Sequence, residues 1–210
     1  MKHIFASLFI FTLLTSPFTL QSHAFQLPDT GQTKCYDPTG STTNEIPCAG
    51  TGQDGAYSIN PMSFTDNGNG TVSDNNTGLI WQKCSVGQNN DASCSGTAVN
   101  YNWYQASGTY DATYNSSTQN VCGALNLGGS SSWRLPSKKE LMSIVDYSIP
   151  YPGPTILQPR FPNTIASYYW SSTTFAGYPY FAWGVGFDDG CVSGDGKGGS
   201  FCVRCVRGGQ

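Results

Sequence analysis

A chain of 210 residues with ten Lys and Arg against thirteen Asp and Glu, formal net charge −3, has no basic excess to hold nucleic acid or an anionic membrane as a bulk electrostatic partner. Only 11% of the residues are charged, while 25 glycines and 12 tyrosines suit a loop-rich extracellular fold with short strands. The length suits one domain with a substantial core.

In chain order, Lys2 and His3 precede an apolar run over residues 4–14, Pro17 breaks it, and Ser22-His23-Ala24 supplies a small-x-small cleavage pattern. The run is too short to span a bilayer. Residues 1–24 therefore read as a signal peptide, and the product as exported: periplasmic, secreted or at the cell surface. Cleavage after Ala24 also removes His3 and His23, the only two histidines. Leu27-Pro28-Asp29-Thr30-Gly31 matches an L-P-x-T-G sorting signal, but no apolar segment and basic tail follow it, so it reads as a turn.

All eight cysteines lie beyond the leader: Cys35, Cys48, Cys84, Cys94, Cys122, Cys191, Cys202 and Cys205. An even count in an exported chain reads as a disulfide framework. Zinc sites favour repeated C-x-x-C pairs, whereas here only Cys202 and Cys205 have that spacing, so no metal site is expected.

Residues 25–60 are rich in Pro, Gly, Asp and Thr and form an N-terminal arm that Cys35 and Cys48 staple to itself. Asn67-Gly68 and Asn69-Gly70 between β-formers predict a hairpin over residues 63–74. A second turn over 75–78 leads to a strand at Leu79-Ile80-Trp81. Cys84 and Cys94 bracket a polar loop, a natural local disulfide. A helix begins near residues 101–106 and gives way to a Tyr/Ser/Thr/Asn-rich insertion over 107–120. Ser137 with Glu140 three residues on predicts a capping box, and Leu141, Ile144 and Val145 the apolar face behind it. Prolines from 150 to 162 exclude regular structure. Aromatic strands follow at 169–172, 181–185 and 201–206, with a Gly- and Asp-rich loop at 188–200. The sum is one α+β domain over residues 61–210, with two short helices, short antiparallel strands and many loops.

Four motifs then occur in order: residues 64–81 (FTDNGNGTV, then DNNTGLIW), Trp133-Arg134-Leu135-Pro136-Ser137 with Glu140-Leu141, Tyr169-Trp170-Ser171-Ser172-Thr173, and Val203-Arg204-Cys205-Val206-Arg207. Together they resemble the domain first characterised at the C-terminus of the Legionella collagen-like adhesin. The resemblance spans roughly residues 60–208 and implies a C-type lectin-like fold, shared with formylglycine-generating enzymes. In such folds a cysteine after the first helix bridges to the last strand and a second pair clips the long loop. By position that implies Cys122–Cys205 and Cys191–Cys202.

Chemistry is sparse. Without histidine there is no Ser-His-Asp triad, Cys-His pair or histidine-bound metal. Glu45 and Glu140 are the only glutamates, and most aspartates sit beside Gly or Asn in turns, so no carboxylate pair for glycoside hydrolysis is legible. No catalytic residues and no cofactor are expected. Asp188, Asp189 and Asp195 are the carboxylates that a calcium ion would take if one bound. Trp81, Trp133 and Trp170 lie inside the motifs and, with Trp103, read as core. Tyr178, Tyr180 and Trp183, around a Gly-Pro turn beside the 188–200 loop, are the candidate ligand surface, since aromatic faces with nearby polar groups grip sugars. Lys138, Lys139 and Arg160 could make a local basic patch.

The expected function is a non-catalytic secreted binding module for an extracellular glycan, another surface polymer or a protein partner, acting in adhesion. One alternative is a structural subunit assembling as a homo-oligomer, a trimer as the resemblance implies. The other is a thiol enzyme of the formylglycine-generating type, using Cys202 and Cys205.

Overall fold

A computed structural model describes residues 27–39, 44–113 and 119–208; the predicted leader, and part of the 107–120 insertion, lie outside them. Eleven short elements form three antiparallel sheets and two helices. In the N-terminal arm β1 (Cys35–Tyr36) pairs with β2 (Glu45–Ile46), closed by the Cys35–Cys48 disulfide. A four-stranded sheet follows in the order β3 (Phe64–Asp66), β4 (Thr71–Asp74), β5 (Leu79–Gln82) and β9 (Val206–Gly208). The third sheet is β6 (Tyr168–Thr174), β7 (Phe181–Gly186) and β8 (Val192–Gly196). The helices are α1 (Trp103–Ser107) and α2 (Lys138–Met142). Among the described residues no helix is long and apolar enough to cross a membrane.

The β3–β4 turn forms where the Asn-Gly steps predict it. Gly68 and Gly70 take φ of 71° and 81°, a left-handed conformation that costs a glycine little. Both helices start with a capping box. Asn102 accepts from the Gln105 amide at 2.9 Å in α1, and Ser137 accepts from the Glu140 amide at 3.3 Å in α2.

Glu140 does more than cap. Its two oxygens receive Arg134 at 2.7 and 2.8 Å, and Oε2 also accepts the Ser137 amide at 2.7 Å. Arg134 donates onward to the Gly208 carbonyl, which ties the start of α2 to the end of β9. Burial alone would raise the Glu140 pKa, but Arg134 and Ser137 outweigh it and hold the carboxyl below its usual value. A lowered folded-state pKa contributes stability above the unfolded value, and that stability is lost as pH falls through the folded one. Ser137→Ala is expected to cost about 1 kcal/mol. Glu140→Gln should show a smaller fall in melting temperature between pH 6 and 3 than the parent chain, read by circular dichroism.

Within the three-stranded sheet β6 and β7 send buried residues to both faces because their rows alternate between two cores, while β8, with no buried residue, is the open edge. Tyr169 and Val185, a register pair, join Leu141, Ile144, Val145, Trp81 and Phe161 in the larger core, between the four-stranded sheet and α2. Trp170 and Ala182, on the other face, join Trp103, Ala106, Trp133 and Cys205 under α1. Trp81, Trp103, Trp133 and Trp170 are core residues, at 0–6% exposure. Trp103, Trp133 and Trp170 donate their indole N–H to the carbonyls of Ser171, Ser130 and Tyr101 at 2.9 to 3.0 Å.

Three of the expected disulfides are present: Cys35–Cys48, Cys84–Cys94 and Cys122–Cys205. The fourth, Cys191–Cys202, is not; both are free thiols. Sheet geometry explains why. Cys202 bridges to Tyr169 of β6, and β7 and then β8 lie beyond it. Cys191, opposite Gly186 at the start of β8, is therefore about three strand spacings away, roughly 14 Å. A disulfide tolerates about 7 Å between Cα atoms.

Two element readings also change. Residues 188–200, expected as a loop, contain β8. Residues 201–206, expected as one strand, divide: Cys202 bridges to β6, while Val206 pairs with Trp81 of β5.

Candidate functional site

The sheet of β6, β7 and β8 positions every residue singled out as a ligand contact, but it does not bring all six together. Tyr178, Tyr180 and Trp183 gather at one end, where residues 175–180 join β6 to β7. Asp188 and Asp189 sit at the other end, in the turn between β7 and β8. Asp195 is paired with Ala182 and so belongs to the aromatic end. Among the described residues no three His, Cys, Asp or Glu side chains converge as a metal-binding group.

The aromatic end is built as a braced stack. Phe175 packs on Trp183 with ring centroids 4.6 Å apart and planes 23° from parallel. It reaches there by crossing Gly194, the register partner of Trp183: a Cβ on that glycine would stand 2.8 Å from the Phe175 ring. The ammonium of Lys138, from the first turn of α2, lies 4.4 Å from the Trp183 centroid. Trp183, half-buried, is thus flanked by Phe175 and Lys138 and acts as the support of the hairpin. The rings open to solvent are Tyr178 and Tyr180, 56% and 61% exposed, which meet edge to face at 5.9 Å. Tyr178 also contacts Phe175, and Tyr180 contacts Phe181 at 4.9 Å. Phe175, Phe181 and Lys138 escaped the reading of individual residues. The aromatic density of residues 175–181, FAGYPYF, was the available signal for the two phenylalanines.

The hairpin is also anchored from behind. Lys197 donates its backbone N–H to the Tyr180 carbonyl at 2.9 Å, and its own carbonyl accepts the Trp103 amide at 3.0 Å. The Lys197 side chain is buried, with its ammonium 3.0 Å from Thr174 Oγ1 and 4.0 Å from the Trp103 ring centroid. Burial lowers its pKa from the ordinary lysine value.

The acidic end is a polar cleft of about 380 Å³, bordered by Ser167, Tyr168, Asp188, Asp189, Cys191 and Ser193. The Tyr168 ring lies over Gly184, where a Cβ would come within 2.5 Å of it, and its hydroxyl donates to the Ser193 carbonyl across β7. Asp189 accepts the Cys191 amide at 2.8 Å, and its carboxylate, first as a hydrogen-bond acceptor for the thiol and then as a charge, holds the exposed Cys191 above its ordinary pKa. The second free thiol, Cys202, is 3% exposed and donates to Asn100 Oδ1 at 3.2 Å. Burial raises its pKa. A thiol reagent at mildly alkaline pH is therefore expected to modify one cysteine per folded chain, Cys191, and two in denaturant. A Cys191–Cys202 bond would yield none in either state.

Cys205, the other member of the C-x-x-C, is bonded to Cys122 and packs in the core under α1, while Cys202 faces the larger core. A further concavity, an apolar groove of about 290 Å³, lies between residues 27–30 and the Met142 and Val145 side chains.

No curated protein matches the chain. The profile of the Lcl C-terminal domain matches residues 70–207, which take in β4 through nearly all of β9, both helices and the braced hairpin. On that match over well more than half its length, the chain belongs to the Lcl C-terminal domain family.

Proposed function

We propose that the protein is a secreted or surface-exposed, non-catalytic binding module of the adhesin type, on a C-type lectin-like frame, that recognises a glycan or another surface polymer. The observation that carries this reading is the pair of exposed tyrosines, Tyr178 and Tyr180, held on the Phe175–Trp183–Lys138 stack. Rings fixed in advance lose little entropy on meeting a ligand, and a tyrosine offers both an apolar face and a hydroxyl. The adhesin-associated family and the three disulfides are those of an exported protein. The non-catalytic reading is supported by the state of the C-x-x-C: one sulfur is committed to a disulfide and the other is buried.

The test is binding of the oxidised full chain to an immobilised glycan and polymer array, alongside the Tyr178→Ala/Tyr180→Ala double variant. The double variant should keep its melting temperature and lose at least about tenfold in affinity. Binding equal to that of the parent chain would remove the hairpin from the site, and absence of any binding would remove the glycan reading.

A further inference from the structure

The β6–β7–β8 sheet has one closed edge and one open edge. Outside β6, Cys202 bridges to Tyr169 and exchanges backbone bonds with Tyr168 and Trp170. The other edge is β8. Hydrogen bonds of an antiparallel pair alternate, so every second residue of an edge strand turns its N–H and C=O outward. Gly186 donates to the Cys191 carbonyl at 2.8 Å, and Lys197 donates to that of Tyr180 at 2.9 Å. Both contacts continue the β7–β8 register, so Ser193 and Asp195, at the same parity, are the β8 residues bonded to β7. Val192, Gly194 and Gly196 therefore face outward. Gly196 is already occupied: its N–H goes to the Asp195 carboxylate at 2.7 Å and its carbonyl accepts Gly199 at 2.8 Å. The N–H and C=O groups of Val192 and Gly194 meet no partner among the described residues. An edge left open in this way is a template for another strand.

The side chains beside this edge select the strand. Ser193 and Asp195 lie on the Tyr168 face, where the polar cleft bordered by Ser193, Asp188 and Asp189 opens. None of the three aspartates is in an ion pair among the described residues. Lys197, the cation of the same row, is buried with its ammonium turned to Thr174 and the Trp103 ring. The opposite face is apolar: Val192 packs on the larger core and the Phe175 ring crosses Gly194. We infer that the β8 edge receives an extended segment of a partner protein, antiparallel, in which a lysine or arginine stands between two apolar residues. The apolar pair faces Val192 and Gly194, exchanges backbone hydrogen bonds with both, and lays its side chains beside Val192 and Phe175. The basic residue between them stands opposite Ser193, with Asp195 on the diagonal about 7–8 Å away, within reach of a long side chain. An acidic residue there would meet like charge. This surface does not use Tyr178 or Tyr180, so it stands whether or not a glycan binds the hairpin.

The experiment titrates the oxidised full chain into a fluorescein-labelled peptide, Thr-Thr-Val-Lys-Val-Thr-Thr, and follows anisotropy at low and physiological salt. Three further peptides carry glutamate for the lysine, N-methyl groups on both valines, or an N-methyl group on the lysine alone. The parent peptide should bind and weaken as salt rises, and the glutamate peptide should bind at least about tenfold more weakly. Methylating the valines, whose N–H groups face β8, should abolish binding, while methylating the lysine, whose N–H faces away, should change it by less than about threefold. The Asp189→Asn/Asp195→Asn double variant should lose about tenfold for the parent peptide, with its melting curve recorded alongside. Equal binding of the lysine and glutamate peptides overturns the charge assignment. Tolerance of the methylated valines overturns pairing at the edge. No binding of the parent peptide overturns the inference, as does light scattering that shows the edge already filled by a second copy of the chain.

Discussion

Replacing Arg204 by alanine is expected to cost about 4 kcal/mol or more of unfolding free energy, among the largest effects of any single substitution in this chain. Arg204 is fully buried, and no carboxylate meets it among the described residues. Its guanidinium is held instead by acceptors from several segments. It donates to the Gln82 carbonyl at 2.9 Å, the Lys83 carbonyl and Thr164 Oγ1 at 2.8 Å, with a longer contact to Ser85 Oγ at 3.4 Å. The rings of Phe161 and Tyr169 close over it, with centroids 5.0 and 6.0 Å from its central carbon. Burial lowers its pKa, and Tyr169 acts in the opposite direction.

One side chain thus joins the end of β5, the 161–164 turn and the run into β9. Truncation leaves several acceptors dry, each worth about 1–3 kcal/mol, and a cavity besides. Arg204→Met fills the volume but not the acceptors, and should cost less than alanine. Arg204→Lys keeps the charge as a point and cannot reproduce the planar fork, so it recovers only part of the loss. Urea unfolding of the three variants would show the order. A methionine variant within about 1 kcal/mol of the parent would mean that packing, and not the guanidinium, joins these segments.

The motif around Arg204 was visible in the sequence, whereas the reason for it was not. Its acceptors lie 40 to more than 120 residues away, and no local pattern encodes such pairings. What was legible is what short-range chemistry decides. Asn67-Gly68 fixes a turn, Ser137 with Glu140 starts a helix, and the flanking cysteines close the arm and the 84–94 loop. Where a tertiary partner decides, the sequence misled. The segment VSGDG has poor strand propensity, yet it forms β8 because β7 presents a complete row of backbone partners. Residues 201–206 look like one strand, but the chain passes there from one sheet to another. The candidate site divided in the same way. Tyr178 and Tyr180 were identifiable from the aromatic turn. That Trp183 is half-covered depends on Lys138, 45 positions earlier, and on the missing side chain of Gly194.

Removing the Cys122–Cys205 disulfide as the double alanine variant should cost about 4.5 kcal/mol, more than either other disulfide. It closes a separation of 83 residues, against 13 for Cys35–Cys48 and 10 for Cys84–Cys94, for which the same chain-entropy argument gives about 3 kcal/mol each. Position reinforces length. Both sulfurs are buried among Trp103, Trp133 and Trp170, so the bond joins the segment after α1 to the run into β9 within the smaller core. Cys35–Cys48 lies in the arm, ahead of the family match at residues 70–207, and its loss should leave that region folded. Against the roughly 5–15 kcal/mol that holds a domain together, about 4.5 kcal/mol is a large share, and the double variant should melt well below the parent chain. The three double variants, compared by guanidinium unfolding at neutral pH, test the ranking. A loss for Cys122→Ala/Cys205→Ala no greater than for Cys84→Ala/Cys94→Ala would mean that the unfolded chain already holds these segments together, and that the staple adds little to the frame carrying the tyrosine hairpin.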